Sequence, residues 1–226
     1  MSENYRSVFD IIGPIMIGPS SSHTAGAVAI GRVARQVLGQ VPRRVIVNYY
    51  ESFAQTHQGH GTDYAIAAGL LEMDPADPMV PTSREIAART GMVIDFKEQV
   101  GPSPIGHPNT AILELIGDDR VVQVAGCSVG GGVIEVRQLV LDGMVVQPSG
   151  PLPIIIYQAS VADQTSQKRG QLLVNDLEWK APFIQQQRLV SPTSTIWVFD
   201  LKNYLRDEMR QYLVDNYPGV ICLEEG

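Results

Sequence analysis

Apolar and polar residues alternate in short runs along the chain, and Gly and Pro separate these runs. Apolar residues at helical spacing, together with a Thr82-x-x-Glu85 capping box, predict helices over residues 24–38, 61–73 and 82–90. β-branched or alternating runs predict strands over residues 44–50, 92–99, 110–116, 121–125, 133–139 and 144–147. Asp142-Gly143 lies between two of these runs and predicts a hairpin turn. Early helices followed by a meander of strands indicate an α+β fold.

A second unit follows the turn-rich segment Ser149-Gly150-Pro151, which is typical of a linker. Strands are predicted over residues 153–158, 195–199 and 220–223. Between the last two strands, apolar residues recur every four positions and predict a helix over residues 201–216 that Asp200 caps. This β-α-β ending is typical of a ferredoxin-like module. The chain is therefore predicted to form two domains, residues 1–149 and residues 150–226.

Composition and charge narrow the classes of function. The chain has 226 residues, with 17 Lys and Arg against 24 Asp and Glu, whereas a nucleic-acid binder usually carries a basic face. No apolar run approaches the ~20 residues that a membrane span needs, and the first five residues lack the pattern of a signal peptide. Cys127 and Cys222 lie far apart and form neither a disulfide framework nor a metal knuckle. We therefore expect a cytoplasmic protein that binds neither nucleic acid nor a membrane.

Histidines mark the segments that carry candidate chemistry. All four, His23, His57, His60 and His107, lie in the predicted first domain, in segments rich in Gly, Ser, Thr and Pro. The first segment, residues 18–26, ends where a helix is predicted to begin. Its three consecutive serines, His23 and Thr24 would surround a helix N-terminus with hydroxyl and N–H donors, which suits a carboxylate. Simple capping of the helix explains the same residues.

The second histidine segment, residues 56–63, is predicted as a loop between a strand and a helix. His57, His60 and Asp63 are spaced by three, which would suit a metal only if the whole run were helical, and Gly59 and Gly61 argue against a helix. Glycines on both sides of His60 instead favour close approach of its imidazole to a ligand, where it can act as a general base. The alternative is a tight turn in which the histidine is incidental.

Two further segments contain candidate polar groups. Asn109 follows His107-Pro108 and can donate to a carboxylate or an amide oxygen. Ser128 precedes Gly130–Gly132, but no Lys follows these glycines as a phosphate-binding loop requires. A turn between two strands explains the glycines equally well.

Together these segments resemble a known family. Residues 7–14, leading into residues 18–26, closely resemble the opening of the β chain of the iron–sulfur L-serine dehydratases. Residues 59–63, 107–110 and 128–132 match further stretches of that family in the same order. The resemblance extends over roughly residues 5–148.

The resemblance implies a function, a cofactor and a partner. The family splits L-serine into pyruvate and ammonia with a [4Fe–4S] cluster, which needs at least three protein thiolates. Two distant cysteines cannot supply them, so the resemblance implies that a partner α subunit holds the cluster and that this chain ligates no metal. It assigns catalysis to His23 and His60, of which His60 is the candidate base. It assigns substrate binding to the hydroxyl and amide residues Ser20, Ser21, Ser22, Thr24, Asn109 and Ser128. A higher oligomer is compatible with it.

In this family the C-terminal part is usually an ACT domain, a βαββαβ regulatory module. Residues 159–164, which follow the first predicted strand of this unit, lack the Gly-containing ligand loop of that domain. We therefore expect residues 150–226 to form a divergent ACT-like domain that has lost amino-acid binding and serves dimerisation or docking.

Other functions predict different residues. A pyridoxal-phosphate dehydratase needs a Schiff-base Lys, but three of the four lysines lie in the second predicted domain. A non-catalytic regulatory module that binds an anion or serine, as in some phosphoglycerate dehydrogenases, would use the same serines and histidines without a base. A zinc hydrolase would use His57, His60 and Asp63.

Overall fold

The computed structural model describes Gly18 and residues 20–224, with the backbone alone for Ser21 and Ser22. Residues 7–14, which carry part of the resemblance, therefore lie outside the described residues. So do the side chains of Ser21 and Ser22, and their predicted contacts with substrate stay predictions.

The first part of the chain forms a seven-stranded sheet with helices packed against it. After a π-helical turn, Ser21–Ala25, the elements are α1 Gly26–Leu38, β1 Arg44–Tyr50, α2 Glu51–His60, α3 Thr62–Leu70, a 3-10 turn Val80–Thr82, α4 Ser83–Arg89, β2 Val93–Glu98, β3 Thr110–Ile116, β4 Val121–Gly130, β5 Val133–Leu141, β6 Met144–Val146 and β7 Gly150–Pro151. The strand order is β2-β1-β3-β4-β5-β6, with β7 paired to β5. Only the β1–β2 pair among these pairings is parallel.

The apolar pattern explains how the sheet and helices pack. Alternate residues of β1, namely Val45, Val47 and Tyr49, are fully buried. Helix α1 lies against β4 and α3, with its apolar face in the same core. Where α1 and α3 cross, both helices present glycine, and a Cβ on Gly69 would lie only 2.7 Å from the Arg32 nitrogen. The two helix backbones are therefore in direct contact.

The second sheet has a βαββαβ order. Its elements are β8 Ile154–Ser160, α5 Gln164–Lys180, β9 Phe183–Val190, β10 Ser194–Leu201, α6 Asp207–Asn216 and β11 Ile221–Leu223. The strand order is β11-β8-β10-β9, and all neighbours are antiparallel. The molecule is thus an α+β protein with two sheets, as its sequence predicts.

The two sheets share a hydrophobic core. One face of the second sheet, including Tyr157 and Trp197, packs against α5 and α6. The other face, including Ile154 and Val198, joins the core of the first sheet. The predicted linker also contributes to the first sheet, because Gly150 and Pro151 pair with β5. The division at residue 149 into two domains stays a prediction.

Several predicted elements differ in the structure. The helix predicted over residues 61–73 is present but shorter, Thr62–Leu70, and residues 51–60, predicted in part as a loop, form a helix of their own. The two helices are separate because Gly61 takes a left-handed backbone conformation, with φ 73°. The predicted strand segments extend further: β4 reaches Gly130 and β5 reaches Leu141. The Asp142-Gly143 hairpin is confirmed, and both residues have the positive φ that a type I′ turn requires.

Two predicted helix caps are wrong. The Thr82 hydroxyl donates to the Met79 carbonyl at 2.9 Å instead of capping α4. The last helix begins at Asp207, not at residue 201. Asp200 is buried in β10 and accepts the Ser149 backbone N–H at 2.9 Å, so it ties the two sheets together. Within the described residues, no helix has the length and apolar character that crossing a membrane requires.

Candidate active site

The segment before α1 forms a π-helical turn that packs against α2, α3 and β4. The Thr24 backbone N–H donates to the Ser20 carbonyl at 2.8 Å, and the Ser20 hydroxyl lies 3.2 Å from His23 Nδ1. Gly18 has φ 156°, and a Cβ there would lie 2.8 Å from Thr24 Cβ. The Ser20 hydroxyl also accepts the His23 backbone N–H at 3.4 Å, as an N-cap serine does, so capping accounts for Ser20 but not for the buried hydroxyl of Thr24, which has no partner among the described residues.

His60 does not lie in a loop. Both His57 and His60 belong to α2, and Gly59 is helical in the same element. Helix α2 forms because Phe53 is fully buried and anchors it, and because the left-handed Gly61 ends it immediately after His60. The glycine that was expected to bring the imidazole to a ligand therefore acts as a helix terminator, and it leaves His60 at the junction of two helices.

His23 and His60 face each other. Their ring centroids are 4.6 Å apart and the rings meet edge to face, at 86°. The ring of His23 also contacts Phe53, with centroids 5.1 Å apart. Residues separated by 37 positions in the chain are thereby combined in one histidine pair, because the π-helical turn packs directly on α2.

Burial keeps His23 uncharged. Desolvation, and secondarily the neighbouring His60, lower the pKa of His23 below 6.5. The Nε2 atom of His23 and the Nδ1 atom of His60 are both buried, and neither has a hydrogen-bond partner among the described residues. A neutral imidazole with one free ring nitrogen can exchange a proton with a bound molecule near neutral pH.

Three buried hydroxyls near the histidine pair also lack hydrogen-bond partners among the described residues. The side-chain oxygens of Thr24, Thr62 and Ser128 are buried and find no partner in the described part of the chain. Buried polar atoms are nearly always paired, so such groups call for a ligand or water. Thr62 is not among the site residues predicted from the sequence, although it lies two positions after His60 and begins α3.

Two predicted site residues, Asn109 and Ser128, are hydrogen-bonded to each other. The Ser128 backbone N–H donates to the Asn109 carbonyl at 3.0 Å, and Asn109 Nδ2 donates to the Ser128 carbonyl at 3.4 Å. Arg137 holds the adjacent loop by donating to the Ile105 carbonyl at 2.8 Å. Ser128 also lies against α1, where a Cβ on Gly26 would be 2.7 Å from the Ser128 Cβ. Gly130–Gly132 form the turn between β4 and β5, all with positive φ.

The structure therefore brings most of the predicted residues onto neighbouring elements. Ser20, His23 and Thr24 lie on or beside the π-helical turn, His60 ends α2, and Ser128 touches the first residue of α1. The catalytic and binding roles assigned to these residues stay predictions.

Neither thiol is in a state that favours metal binding. Burial raises the pKa of Cys127 to about 11 and that of Cys222 to about 11, so both are protonated at neutral pH. The proposed zinc set is not formed either: both ring nitrogens of His57 are engaged, by Asp63 and by Glu98. Within residues 20–224, no three His, Cys, Asp or Glu side chains are arranged as a metal site.

A facing histidine pair beside unpartnered buried hydroxyls, on a two-sheet α+β fold, is a feature typical of an enzyme. Comparison with known proteins identifies the family to which the chain belongs. Residues 7–138 match the family profile "Serine dehydratase beta chain". This match covers more than half of the chain, which therefore belongs to the β chain family of L-serine dehydratases.

Individual relatives support the same assignment. The chain is 49% identical over 152 residues to the probable L-serine dehydratase beta chain of Bacillus subtilis, covering 67% of each chain. It is 35% identical over 154 residues to the L-serine dehydratase beta chain of Peptoniphilus asaccharolyticus, covering 67% of this chain and 68% of that one. L-serine dehydratase 2 of Escherichia coli is 49% identical over 180 residues, which cover 70% of this chain but 38% of that protein.

Proposed function

We propose that this chain is the β subunit of an L-serine ammonia-lyase that converts L-serine to pyruvate and ammonia in the cytoplasm. It would act with an α subunit that carries a [4Fe–4S] cluster. One observation carries the proposal: within the family-matched segment, His23 and His60 face each other at 4.6 Å beside buried hydroxyls that lack partners.

The side chains of this chain do not fit a cluster-binding role. Cys127 is buried and Cys222 is half-buried; both thiols are protonated, and they lie in different sheets, one in β4 and one in β11. The partner subunit would therefore hold the cluster. When bound, the cluster would supply a Lewis acid for the hydroxyl that leaves the substrate.

The residues of this chain would orient the substrate and remove its proton. The hydroxyls of Thr24, Thr62 and Ser128 can donate to the carboxylate of L-serine, which relieves their unpaired state. Ser20, Ser21, Ser22 and Asn109 are assigned to the same pocket. Each hydroxyl that becomes paired only when serine binds adds to affinity and selects for a small polar ligand.

His60 is assigned as the base. Its imidazole would take the Cα proton of L-serine, the Cα–H electron pair would form the Cα=Cβ bond, and the Cβ–O bond would break. The resulting enamine would tautomerise to an imine and hydrolyse to pyruvate and ammonia. His23, kept neutral by burial, would orient the ring of His60 and could receive its proton.

The second sheet is proposed to be a divergent ACT-like domain without amino-acid binding. Its βαββαβ order and its strand order support the ferredoxin-like part of this assignment. One face of the sheet is covered by the first core, so isolated residues 150–226 would expose Ile154, Ile156 and Val198. Calorimetric titration of the whole chain with amino acids tests the idea, and tight binding that survives substitution of Thr62 and Ser128 would contradict it.

The function is tested by anaerobic co-purification of the chain with its partner, followed by iron and sulfide analysis and a pyruvate assay on L-serine. We expect His60→Ala to lower turnover by about 10²–10⁴-fold with an unchanged cluster spectrum. Gln58→Ala, an exposed neighbour on the same helix, is the matched control and should retain activity. If the chain binds serine but no iron-containing partner and no pyruvate forms, it is a regulatory serine-binding module instead.

A further inference from the structure

His57 lies between two carboxylates. Its Nδ1 atom is 2.7 Å from Asp63 Oδ1 and its Nε2 atom is 2.9 Å from Glu98 Oε1. The His57 side chain is only 6% exposed and that of Asp63 only 11%, whereas that of Glu98 is 60% exposed. One carboxylate of this arrangement is therefore shielded from solvent and the other is accessible.

The two distances define the protonation state of His57. A neutral imidazole has one N–H donor and one acceptor nitrogen, and an acceptor nitrogen cannot bond to a carboxylate oxygen. With both carboxyls ionised, both bonds form together only when both nitrogens carry hydrogen, that is, when His57 is an imidazolium. Burial opposes that charge, but the hydrogen bonds and charges of Glu98 and Asp63 outweigh it, so the pKa of His57 is raised above 6.5.

The charged groups around His57 come from several elements. The ring of Tyr49 from β1 lies against it, with centroids 4.9 Å apart. Asp63 belongs to α3 and Glu98 ends β2. Arg84 of α4 lies on the far side of Asp63, 3.8 Å from Oδ2. The neighbouring carboxylates thus favour the cation, and Arg84 partly offsets Asp63.

These contacts surround the junction that carries His60. His57 precedes His60 by three positions on α2, and Asp63 follows it by three positions in the first turn of α3. Between them the helix is interrupted at Gly61, which has a left-handed backbone conformation. The ring contact with His23 is the interaction that the structure gives to His60 itself. The two hydrogen bonds of His57 therefore link α2, α3 and β2 around the junction at which His60 lies.

We propose that His57 is a positioning residue: as an imidazolium held by Asp63 and Glu98, it fixes the α2–α3 junction and so keeps the His60 ring against His23. Loss of its proton breaks one of the two bonds and releases the junction. Its effect on catalysis rests on the proposed dehydratase function, whereas its effect on the His60 ring does not.

A wide groove gives solvent access to the contact of His57 with Asp63 and Glu98, which we call the His57 clamp. The groove, about 1450 Å³, is lined by His57, Asp63, Arg84 and Glu98 among others, and neither His23 nor His60 lines it. Protons and buffer can therefore reach the Glu98 bond without entering the histidine site. This makes Glu98 the position at which the clamp can be changed without altering the residues assigned to substrate.

The first experiment measures the imidazole ¹H and ¹⁵N resonances of the whole chain as a function of pH. The four histidines are assigned with single His→Gln variants. We expect His57 to carry hydrogen on both nitrogens at pH 7. We also expect the His60 resonances to show a transition at the midpoint of His57. A neutral, single tautomer of His57 at pH 7, or a His60 ring that is unaffected when His57 titrates, would overturn the proposal.

Glu98→Gln tests the clamp directly, because its exposed position makes the variant compatible with folding. Removing this charge should lower the midpoint of His57 by about 0.5–1 pH units, and the linked His60 transition should move with it. Asp63→Asn should give a larger shift, since Asp63 is buried. Glu85→Gln, in the same groove but without a bond to His57, is the matched control and should shift neither midpoint.

The catalytic arm uses the complex with the α subunit. In the Glu98→Gln enzyme, the alkaline decrease of kcat should begin at lower pH by the shift measured for His57, while KM changes less than kcat. In the Glu85→Gln enzyme the profile should match that of the wild type. If the wild-type complex has no turnover, the dehydratase proposal fails while the His57–His60 linkage still stands. If turnover is normal and the Glu98→Gln profile does not move, the positioning role is refuted.

Discussion

Replacing Gly69 by Ala should destabilise the protein, although alanine is the better helix former. Gly69 is the penultimate residue of α3, and its Cα faces α1. A methyl group there would lie 2.7 Å from the Arg32 nitrogen and 2.9 Å from the Gly31 Cα, with the Val28 carbonyl closer still. All three are backbone atoms, so no side-chain rotation can relieve the overlap.

The magnitude follows from two opposing effects. Alanine in place of glycine near a helix end contributes about 0.5 kcal/mol in favour of folding. Forcing a methyl group into a close-packed backbone contact costs about 3 kcal/mol, the upper part of the range for overpacking. Helix α1 also packs on β4 and cannot move aside freely. The net loss in the free energy of unfolding should therefore be about 2.5 kcal/mol.

Gly59→Ala is the matched control. Gly59 is likewise the penultimate residue of its helix, but it is exposed and a Cβ there would have no atom within 4 Å. It should gain about 0.5 kcal/mol by the same helix-propensity effect. Urea unfolding followed by circular dichroism measures both variants. If Gly69→Ala is as stable as the wild type, α1 and α3 are not in backbone contact as described.

Further predictions concern strain, unpaired hydroxyls and pH. Glu51 has φ 45°, a backbone conformation that favours glycine, so Glu51→Gly should raise stability by about 0.5–1 kcal/mol. Glu178→Gly, inside α5, should lower stability, and thermal unfolding of both variants measures the two opposite shifts. Ser128→Ala and Thr62→Val each remove a buried, unpartnered hydroxyl, so each should stabilise the free chain by about 1 kcal/mol but reduce the stabilisation that L-serine provides. If either variant is less stable than the wild type, its hydroxyl is paired after all. Folding raises the pKa of His57, so protonated His57 contributes fully to the free energy of unfolding below pH 6.5, and this contribution is lost as the pH rises through the folded-state pKa. Urea unfolding of the wild type over a pH series should therefore show a decline in stability that is absent in His57→Gln.

Local patterns account for the elements that the sequence predicted well. The run 44–50 and the strands over residues 110–146 alternate or are β-branched, and this property depends only on neighbouring residues. The Asp142-Gly143 turn is equally local. Helix α2 has no such pattern: residues 51–60 contain five polar side chains, two histidines and a glycine, and the buried Phe53 holds them against the sheet. Tertiary packing overrides weak propensity there.

The candidate site divides in the same way. Its residue types and their order along the chain were enough to indicate the family, since residues 18–26 and 59–63 carry distinctive motifs. Thr62 lies within the second motif but was not predicted as a site residue. Only the structure singles it out, because its buried hydroxyl has no hydrogen-bond partner among the described residues.

The residue types and their order along the chain were sufficient to predict the family, the α+β class and the set of histidines and hydroxyls available for chemistry. The direction in which each histidine pKa moves depends on the tertiary structure. Burial and the neighbouring His60 lower the pKa of His23, whereas Asp63 and Glu98 raise the pKa of His57 despite its burial. Glu98 lies 41 positions from His57 in the chain, and burial and pairing at such separations depend on how the elements pack. No local pattern of residues contains that information.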